Sequence, residues 1–575
     1  MLISFILASF QLGLYAGCIA SPASIIADRD ESGVVKSPLD VFEVQAPLRA
    51  SYEGTACEQI VLQYTFAGSY GTPYVGTYSP PEDCEFTTTI FNLSVTSSGV
   101  NYDRLGLMYF GDVEVWRTTT AMPVRTGIFW NYQKDMTIFD TLLRSEQKVI
   151  MSMDNLYDTV FTGAFNVTIT ALFYNDHQTL SPADLILPIS TQSSAQDKAS
   201  VISLPDGNAT VSFTLPRNAE RAVISVLASG NGDEEFWFRN VPTEFTGTFN
   251  NSALRAYSPF REVQVLIDGD LAGVGWPFPI IFTGGISPGI WVPIVGVHTY
   301  DLPSFEVDIS PWLGLLCDGK PHSFELAVVG YDSKTTIGTV GSNWWVSGSV
   351  FVWKDDEGNQ TTGTSIQTSS AEPSFQLTPN IISTSYANTS LELHLSAQRF
   401  LSHTSTITTS SGPHDIRSYN GHLIIFTIVQ LLFPNQEYFS YPITFRTSST
   451  TPVDATNANS TIVASLDRSL LSSSVPIVSY LTAPSIFEIP QVLGTRQTGS
   501  SVYYWNDTYY EFAGAIDPAK GTSGSTEQWY SAVSRVGGYG RHVKAVDGYE
   551  PVLVVDEEFP TTIAVPDTEL VGIGK

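Results

Sequence analysis

Residues Asn101–Asp135 (NYDRLGLMYFGDVEVWRTTTAMPVRTGIFWNYQKD) gather Asp103, Asp112, Glu114 and Asp135 with Arg104, Arg117, Lys134, Trp116 and Trp130, in a chain that is only 15% charged. Carboxylates can take and return protons, and indole rings offer flat apolar faces; together at strand ends they suit a substrate made of polar rings, such as a sugar. A salt-bridged hairpin explains the same residues equally well. The second cluster is Asn231–Pro242 (NGDEEFWFRNVP), where Asp233, Glu234 and Glu235 stand beside Phe236, Trp237, Arg239 and Asn240. Mutual repulsion and aromatic burial would raise the pKa of whichever acid turns inward; a solvated acidic turn is the plainer reading of the residues alone. The third is Gly275–Ile294 (GWPFPIIFTGGISPGIWVPI), rich in Pro and Gly, with Trp276 and Trp291. It reads as a long ordered loop with stacking surfaces, to which Trp344 and Trp345 could add, although tryptophans in a β-protein more often sit in the core.

Several other chemistries lack their signatures. There is no G-x-S-x-G, H-E-x-x-H, C-x-x-C, Walker A or dinucleotide fingerprint, and the eight histidines have no metal spacing. No cofactor and no metal are therefore expected. Carboxylates with aromatics remain, which equip an enzyme acting on carbohydrate, whether an amidase or a carboxylate-pair glycosidase, and equip a sugar-binding protein just as well.

The elements that must hold these clusters are strands. Period-two patterns recur along the chain between Gly, Pro, Asn and Ser clusters, as in Ile60–Phe66, Val223–Leu227, Val263–Ile267 and Phe324–Val328. Helical periodicity is nearly absent, with a turn or two at Asp140 (DTLLRSEQ). The fold class is all-β. Leu105, Leu107, Tyr109 and Val113, Val115 predict two short strands around a Phe110-Gly111-Asp112 turn. Polar stretches at Thr191–Ser200 and Gln360–Ser374 divide the chain into about 40–190, 200–358 and 370–575, each the size of a β-sandwich. The Ser/Thr-rich Arg446–Ser460 is expected to be a loop or a processing site within the third.

The 57 acidic against 28 basic residues give a net charge of −29, which repels phosphate backbones and argues against nucleic acid as a partner. Residues 1–20 (MLISFILASFQLGLYAGCIA) form an uncharged apolar run before Ser21-Pro22, read as a secretory signal peptide cut near Ala20, with an uncleaved anchor as the alternative. No stable membrane insertion is expected after cleavage. In a secreted chain Cys57 and Cys84 are expected to pair, worth roughly 3.5 kcal/mol in the chain-entropy picture, leaving Cys317 as a buried thiol. Eight N-glycosylation sequons fit that route: Asn92, Asn166, Asn208, Asn250, Asn359, Asn388, Asn459 and Asn506. Phe91, Leu93, Val95 and Phe165, Val167, Ile169, Phe173 each fill one face of a strand, so Asn92 and Asn166 are expected on the solvent face.

Read in order, the motifs Y-D-R-L, G-x-V-E-V-W-R-T-T-T-A-x-P, G-I-F-W-x-x-x-K-D, E-E-F-W-F-R-N-V-P, R-E-V-x-V-x-I-D-G, P-F-P-x-I-F-T-G-G, D-L-P-S-F-E-V-D-I-S-P-W-L and W-W-V-S-G run from about Val41 to Asp355. The chain resembles, on these residues, the peptide-N-glycosidase A family, the fungal and plant group of N-glycan amidases. Two of the motifs are also similar to the bacterial peptide-N-glycosidase F, a pair of jelly rolls with its site between them. Its Trp-Asp-Arg segment, with an essential Asp, resembles Tyr102-Asp103-Arg104; its Glu-Trp-Cys-Phe-Arg segment, with an essential Glu, resembles Glu235-Phe236-Trp237-Phe238-Arg239. Asp154 is the nearest equivalent of a further Glu there. In the family loop G-G-x-x-P-x-x-W-R-P-I an Arg commonly follows the Trp, whereas Val292 follows Trp291 here.

The resemblance implies two adjoining jelly-roll sandwiches plus a β-rich C-terminal region, N-glycosylated peptides or proteins as substrates, and a metal-free hydrolysis of the amide between Asn and the first N-acetylglucosamine. Asp103 is expected to activate water and Glu235 to orient the water or sugar. Arg104, Glu114, Arg117, Trp130, Asp154, Trp237, Arg239, Asn240 and Trp291 are expected to bind substrate or stabilise the oxyanion. For Asp103 and Arg104 to line one site the segment must bend, because successive strand residues face opposite ways. If Asp103 and Glu235 share a cleft, one carboxyl should keep its proton into the mildly acidic range, with an acidic optimum whose acid limb responds to Glu235→Gln.

Overall fold

The computed structural model describes residues 38–45, 57–123, 127–175, 182–249, 254–285, 288–332, 336–370, 372–385, 387–431, 435–441, 443–450, 459–473, 492–506, 523–533, 538–546 and 553–559. The signal-peptide reading of residues 1–20 and the sequon Asn250 lie outside them.

Alternating apolar residues build two sandwiches. In the first, the strands Cys57–Phe66, Ala164–Tyr174, Thr88–Ser98 and Ile128–Asp135 lie side by side, with Leu39–Asp40 added in parallel at the edge. They face a sheet of Tyr74–Tyr78, Gln147–Met153, Leu105–Phe110 and Val113–Thr119. The second pairs Leu185–Ile189, Trp344–Lys354, Ala219–Gly230 and Phe305–Asp308 against Thr210–Phe213, His322–Asp332, Arg261–Ile267 and Asp270–Gly275. In both, the first, eighth, third and sixth strands along the chain form one sheet and the second, seventh, fourth and fifth the other, which is jelly-roll topology.

Strand Ala164–Tyr174 shows why the pattern folds this way. Phe165, Val167, Ile169, Ala171 and Phe173 are all buried while Asn166 points to solvent. Each large side chain so buried contributes about 1.5–3 kcal/mol. Asn166, Asn208 and Asn359 are exposed, and Asn92 and Asn388 half-buried. Asn459 and Asn506 pair with each other across two strands. The predicted hairpin is present, turning through Gly111-Asp112 with Gly111 at φ +56°, where a side chain would be strained.

Two strands depart from alternation: Val113–Thr119 is buried throughout, and Trp344–Lys354 almost so. Each is covered on both faces, because the two sandwiches pack against one another along this layer.

The structure moves the expected domain boundary. Leu185–Ile189 belongs to the second sandwich, where Ile189 pairs with Gly348 and Ile202 with Val346. The polar Thr191–Ser200 is therefore an excursion within a broken strand, not a linker, and it latches onto the first sandwich through Ser194 N–H and Ser200 Oγ, both donating to Asp112 (2.9 and 2.7 Å). Likewise Thr362–Gly363 and Gln367–Ser370 already pair with Asn388–Thr409, so Gln360–Ser374 enters the C-terminal sheet. Of the stretch Arg446–Ser460, expected as a loop or processing site, Arg446–Thr450 and Asn459–Ser460 are strand and residues 451–458 lie outside the described residues.

Among the described residues that C-terminal sheet has twelve strands. Leu391, Leu393, Leu395 and Ala397 join the core of the second sandwich. Farther along, Gln528 Nε2 donates to Val295 O (2.9 Å), and Tyr530, Val543 and Ala545 pack on Val44, Ile294 and Val297. Gly524 permits the closest approach, since a Cβ there would sit 2.1 Å from Gly289 O. The Cys57–Cys84 disulfide is formed, and Cys317 is a buried free thiol, pushed up to about 11 mainly by burial.

Candidate active site

Strands Leu105–Phe110, Val113–Thr119 and Gln147–Met153 of the first sandwich end together at one edge, so the segments continuing from them, Asn101–Arg104, Thr120–Met122 and Asp154–Asn155, meet. Asn101–Arg104 is not strand; the required bend is present. Two buried asparagines hold it. Asn101 Nδ2 donates to Asn155 Oδ1, Leu156 O and Gly163 O (each 2.8 Å), and Asn155 Nδ2 donates to Phe66 O and Gly163 O (each 3.1 Å). Arg104 is fixed by the same pair, its Nε donating to Asn155 Oδ1 (3.0 Å) and its Nη2 to Asn101 Oδ1 (2.6 Å). Asp103 follows from this geometry as a partly exposed carboxylate beside a fixed guanidinium.

The second sandwich supplies two pieces. After strand Ala219–Gly230 the chain coils through short 3-10 turns at Gly232–Glu234 and Trp237–Arg239. Glu234 turns inward, where it accepts from Arg261 Nε and Nη2 (2.7 and 3.0 Å), Trp344 Nε1 (2.7 Å), Gly341 N–H (3.1 Å) and Asn240 Nδ2 (3.4 Å). Glu235, the next residue, keeps a partly exposed edge. The other piece is the turn Thr283-Gly284-Gly285. Gly284 N–H donates to Asp103 Oδ1 (2.9 Å), and a Cβ on Gly284 would lie 2.2 Å from that oxygen, so only glycine fits. Thr283 Oγ1 accepts from Met122 N–H (2.9 Å) and donates to Thr120 O (3.2 Å). On the far side a Cβ on Gly285 would meet the Phe236 ring at 3.2 Å, and Trp291 Nε1 donates to Gly285 O (2.7 Å). One turn thus bridges the Asp103 segment and the Glu235 segment.

Burial raises the Asp103 carboxyl to about 6, against the opposing pull of its backbone hydrogen bonds and Arg104. Glu235 is raised to about 8, first by burial and then by the negative charge of Asp103, with Arg255 opposing. The charge of Asp103 acts on Glu235, so the two carboxyls, one from each sandwich, lie within electrostatic reach of each other. Between those two values Asp103 is ionised while Glu235 holds its proton. One can then accept a proton while the other donates one.

The remaining expected site residues divide. Asp154 accepts from Gly71 N–H (3.0 Å) within reach of the Arg104 charge. Arg239 lies against the Phe236 ring (5.7 Å), and Asn240 is buried on Glu234. Glu114 and Arg117 lie elsewhere: both are buried in the layer between the sandwiches, joined at 2.7 and 2.8 Å, with Arg117 Nη1 donating to Trp345 O (2.7 Å) and Ser229 Oγ (3.0 Å). They cross-link the two domains because their strand is covered on both faces. Trp130 stacks on Tyr300 in the first core (5.5 Å), and Trp237 packs on Trp344 in the second. Trp291 is fully buried, with its Nε1 donating to Gly285 O. Trp344 is buried, while Trp276 and Trp345 are half-buried, Trp276 donating to Glu262 (3.0 Å).

Sequence reasoning did not single out Asn101, Asn155, Arg261 or Thr283. Asn101 and Asn155 each adjoin a residue it did consider, in N-Y-D-R and M-D-N-L, and an uncharged amide beside a strand end is the signal that could have marked them. Among the described residues no group of three His, Cys, Asp or Glu could hold a metal ion.

Residues 45–371 match the family described as peptide N-acetyl-beta-D-glucosaminyl asparaginase amidase A. The chain is 35% identical over 347 residues to peptide-N4-(N-acetyl-beta-glucosaminyl)asparagine amidase A of Prunus dulcis, covering 57% of this chain and 59% of that protein. It therefore spans well under two thirds of the length of this relative. Among solved structures it is similar to PNGase F, a glycosylasparaginase from Flavobacterium meningosepticum, at 17% identity and TM-score 0.35, over 52% of this chain and 96% of that one. It is also similar to PNGF-II, at 14% identity and TM-score 0.36, over 52% and 66%.

Proposed function

For a chain that belongs to the peptide N-acetyl-beta-D-glucosaminyl asparaginase amidase A family, we propose hydrolysis of the amide that joins a glycosylated Asn side chain to its first N-acetylglucosamine. The observation that supports it is the meeting of Asp103 and Glu235, one from each sandwich, across the Gly284-Gly285 turn.

Amide resonance makes the carbonyl carbon a poor electrophile, and the nitrogen leaves only when protonated, so the reaction needs both a base and an acid. Ionised Asp103 takes a proton from a water as its oxygen adds to the carboxamide carbon. The resulting oxyanion develops near Arg104, whose charge is fixed by Asn101 and Asn155 and so needs no reorganisation. As the tetrahedral species collapses, the C–N bond breaks and the nitrogen takes the proton of Glu235. The products are an aspartate in the peptide and a glycosylamine. Glu235 thereby has a proton-donating role in addition to the orienting role expected from its sequence context.

Substrates are N-glycosylated peptides or proteins. Secretion is supported by the apolar leader reading, the Cys57–Cys84 disulfide and the exposed sequons; N-terminal sequencing of protein recovered from culture medium should begin near Ser21. The test of the reaction is mass spectrometry of a glycopeptide after incubation. Asp at the former glycosylation site is expected. Asn still bearing a sugar would mean a glycosidase, and an unchanged glycopeptide that binds would mean a lectin.

A further inference from the structure

We propose that the loop Asp154–Phe161, together with Tyr70, is a docking surface for the polypeptide of the substrate, holding apolar residues that flank the glycosylated Asn. The inference rests on the glycoamidase reading and adds the substrate class to it.

Leu156, Tyr157 and Val160 are 45, 52 and 48% exposed, and Tyr70 is 66% exposed. They sit on neighbouring segments, since Ser69 N–H donates to Asn155 O (3.0 Å) and Gly71 N–H to Asp154 Oδ1. An exposed apolar side chain alone means little, but a group of them on a tip held rigid is different. Asp158 Oδ1 accepts from Val160 N–H and Phe161 N–H (each 2.7 Å), and Asp158 N–H donates to Phe161 O (2.8 Å). At the base of the loop stand Asn101 and Asn155, the same pair that fixes Arg104. Tyr102, immediately before Asp103, contacts the Phe161 ring at 5.7 Å. The fold therefore orders a loop whose apolar side chains face water and ties it to the proposed catalytic segment.

The chemistry of the tip selects the occupant. Leu156 and Val160 have no aromatic face on which a pyranose ring could stack, and although Tyr70 and Tyr157 do, only the side chains of an extended peptide would bury well against all four. Position agrees with this. A scissile amide at Asp103 leaves the peptide backbone only a side chain's length away, and an extended strand advances about 3.3 Å per residue, so residues flanking the Asn fall beside the loop. The surface also carries Asp154 and Asp158, which disfavour an acidic peptide.

The experiment compares two glycopeptides bearing one glycan, with Leu and Phe or with Gly and Ser around the Asn. In the triple variant Leu156→Ser, Tyr157→Ser, Val160→Ser, KM for the apolar peptide should rise about tenfold. Its kcat, and both constants for the Gly/Ser peptide, should stay unchanged, as should inhibition by the released glycan. Tyr157→Ser alone should give a smaller shift in the same direction, and unchanged thermal unfolding shows that the fold is kept. An equal rise for both peptides, or weaker inhibition by free glycan, would assign the loop to sugar and overturn the proposal, as would no change. If the wild-type protein released glycan from neither peptide, the amidase reading would fail first and this inference with it.

Discussion

Glu234 and Glu235 are adjacent on one turn, yet they belong to different regions of the molecule. Glu234 meets five donors, Arg261 contributing two, and Glu114 is met in the same way by Arg117 and Tyr109. These carboxylates and guanidiniums brace the interior. Asp103 and Glu235 have no cation at ion-pair distance among the described residues, and the raised pKa of each reports a charge held without one. The difference teaches which acids are available: a carboxylate whose lone pairs are already committed to cations and further donors cannot exchange a proton, whereas one held without an ion-pair partner is poised to do so.

The comparison is tested first at Asp103. Asp103→Asn should lower turnover by about 10²-fold or more, the usual contribution of a general base. Circular dichroism and unfolding should show the fold intact, because an amide oxygen can still accept the Gly284 N–H. Near-normal turnover would remove Asp103 from the mechanism.

Glu234→Gln should do the opposite and act on stability. Leaving Arg261 buried without its carboxylate should cost about 3–5 kcal/mol, read from denaturant unfolding. Wild-type stability in this variant would erase the distinction between the two neighbours.

Glu235→Gln tests the pH dependence. In the wild-type protein kcat/KM should rise through about 6 as Asp103 ionises and fall through about 8 as Glu235 loses its proton. The variant should be slower and should lose the alkaline limb while keeping the acid limb, in place of the acid-limb change expected from sequence. Stability follows the same sign. Below the unfolded value of 4.5 both states are protonated; as pH climbs towards about 8 the unfolded chain ionises first, and the native state loses stability. Melting temperatures of variant and wild type should therefore coincide near about pH 4 and diverge in favour of the variant by about pH 9.

Trp291→Phe should have a smaller effect. It removes one hydrogen bond to Gly285 O, worth about 1 kcal/mol, and should lower turnover several-fold with the pH profile unchanged. Chelation by EDTA should have no effect on rate, given the absence of a ligand cluster among the described residues; activity lost to EDTA and restored by a divalent ion would overturn that expectation.

Local pattern determined a good part of this protein. Alternation such as Phe165, Val167, Ile169 and the Gly111-Asp112 turn is a property of neighbouring residues, so strands and hairpin were legible from sequence. Asp103 and Glu235 were singled out through the resemblance of their motifs, because the residues alone left a salt-bridged hairpin and a solvated turn open. Only the tertiary structure decided which acids are paired, because Arg261 reaches Glu234 across 27 positions and Trp344 across 110. It alone showed that Thr191–Ser200 interrupts a strand, since the partner that aligns Ile189 with Ile202 lies more than a hundred residues away. It also placed Trp130, Trp237 and Trp291 in the interior and left Leu156, Tyr157 and Val160 in water. Apolarity says that a side chain gains from being covered; which surface covers it is set by packing between distant segments, and single-residue chemistry carries no record of that.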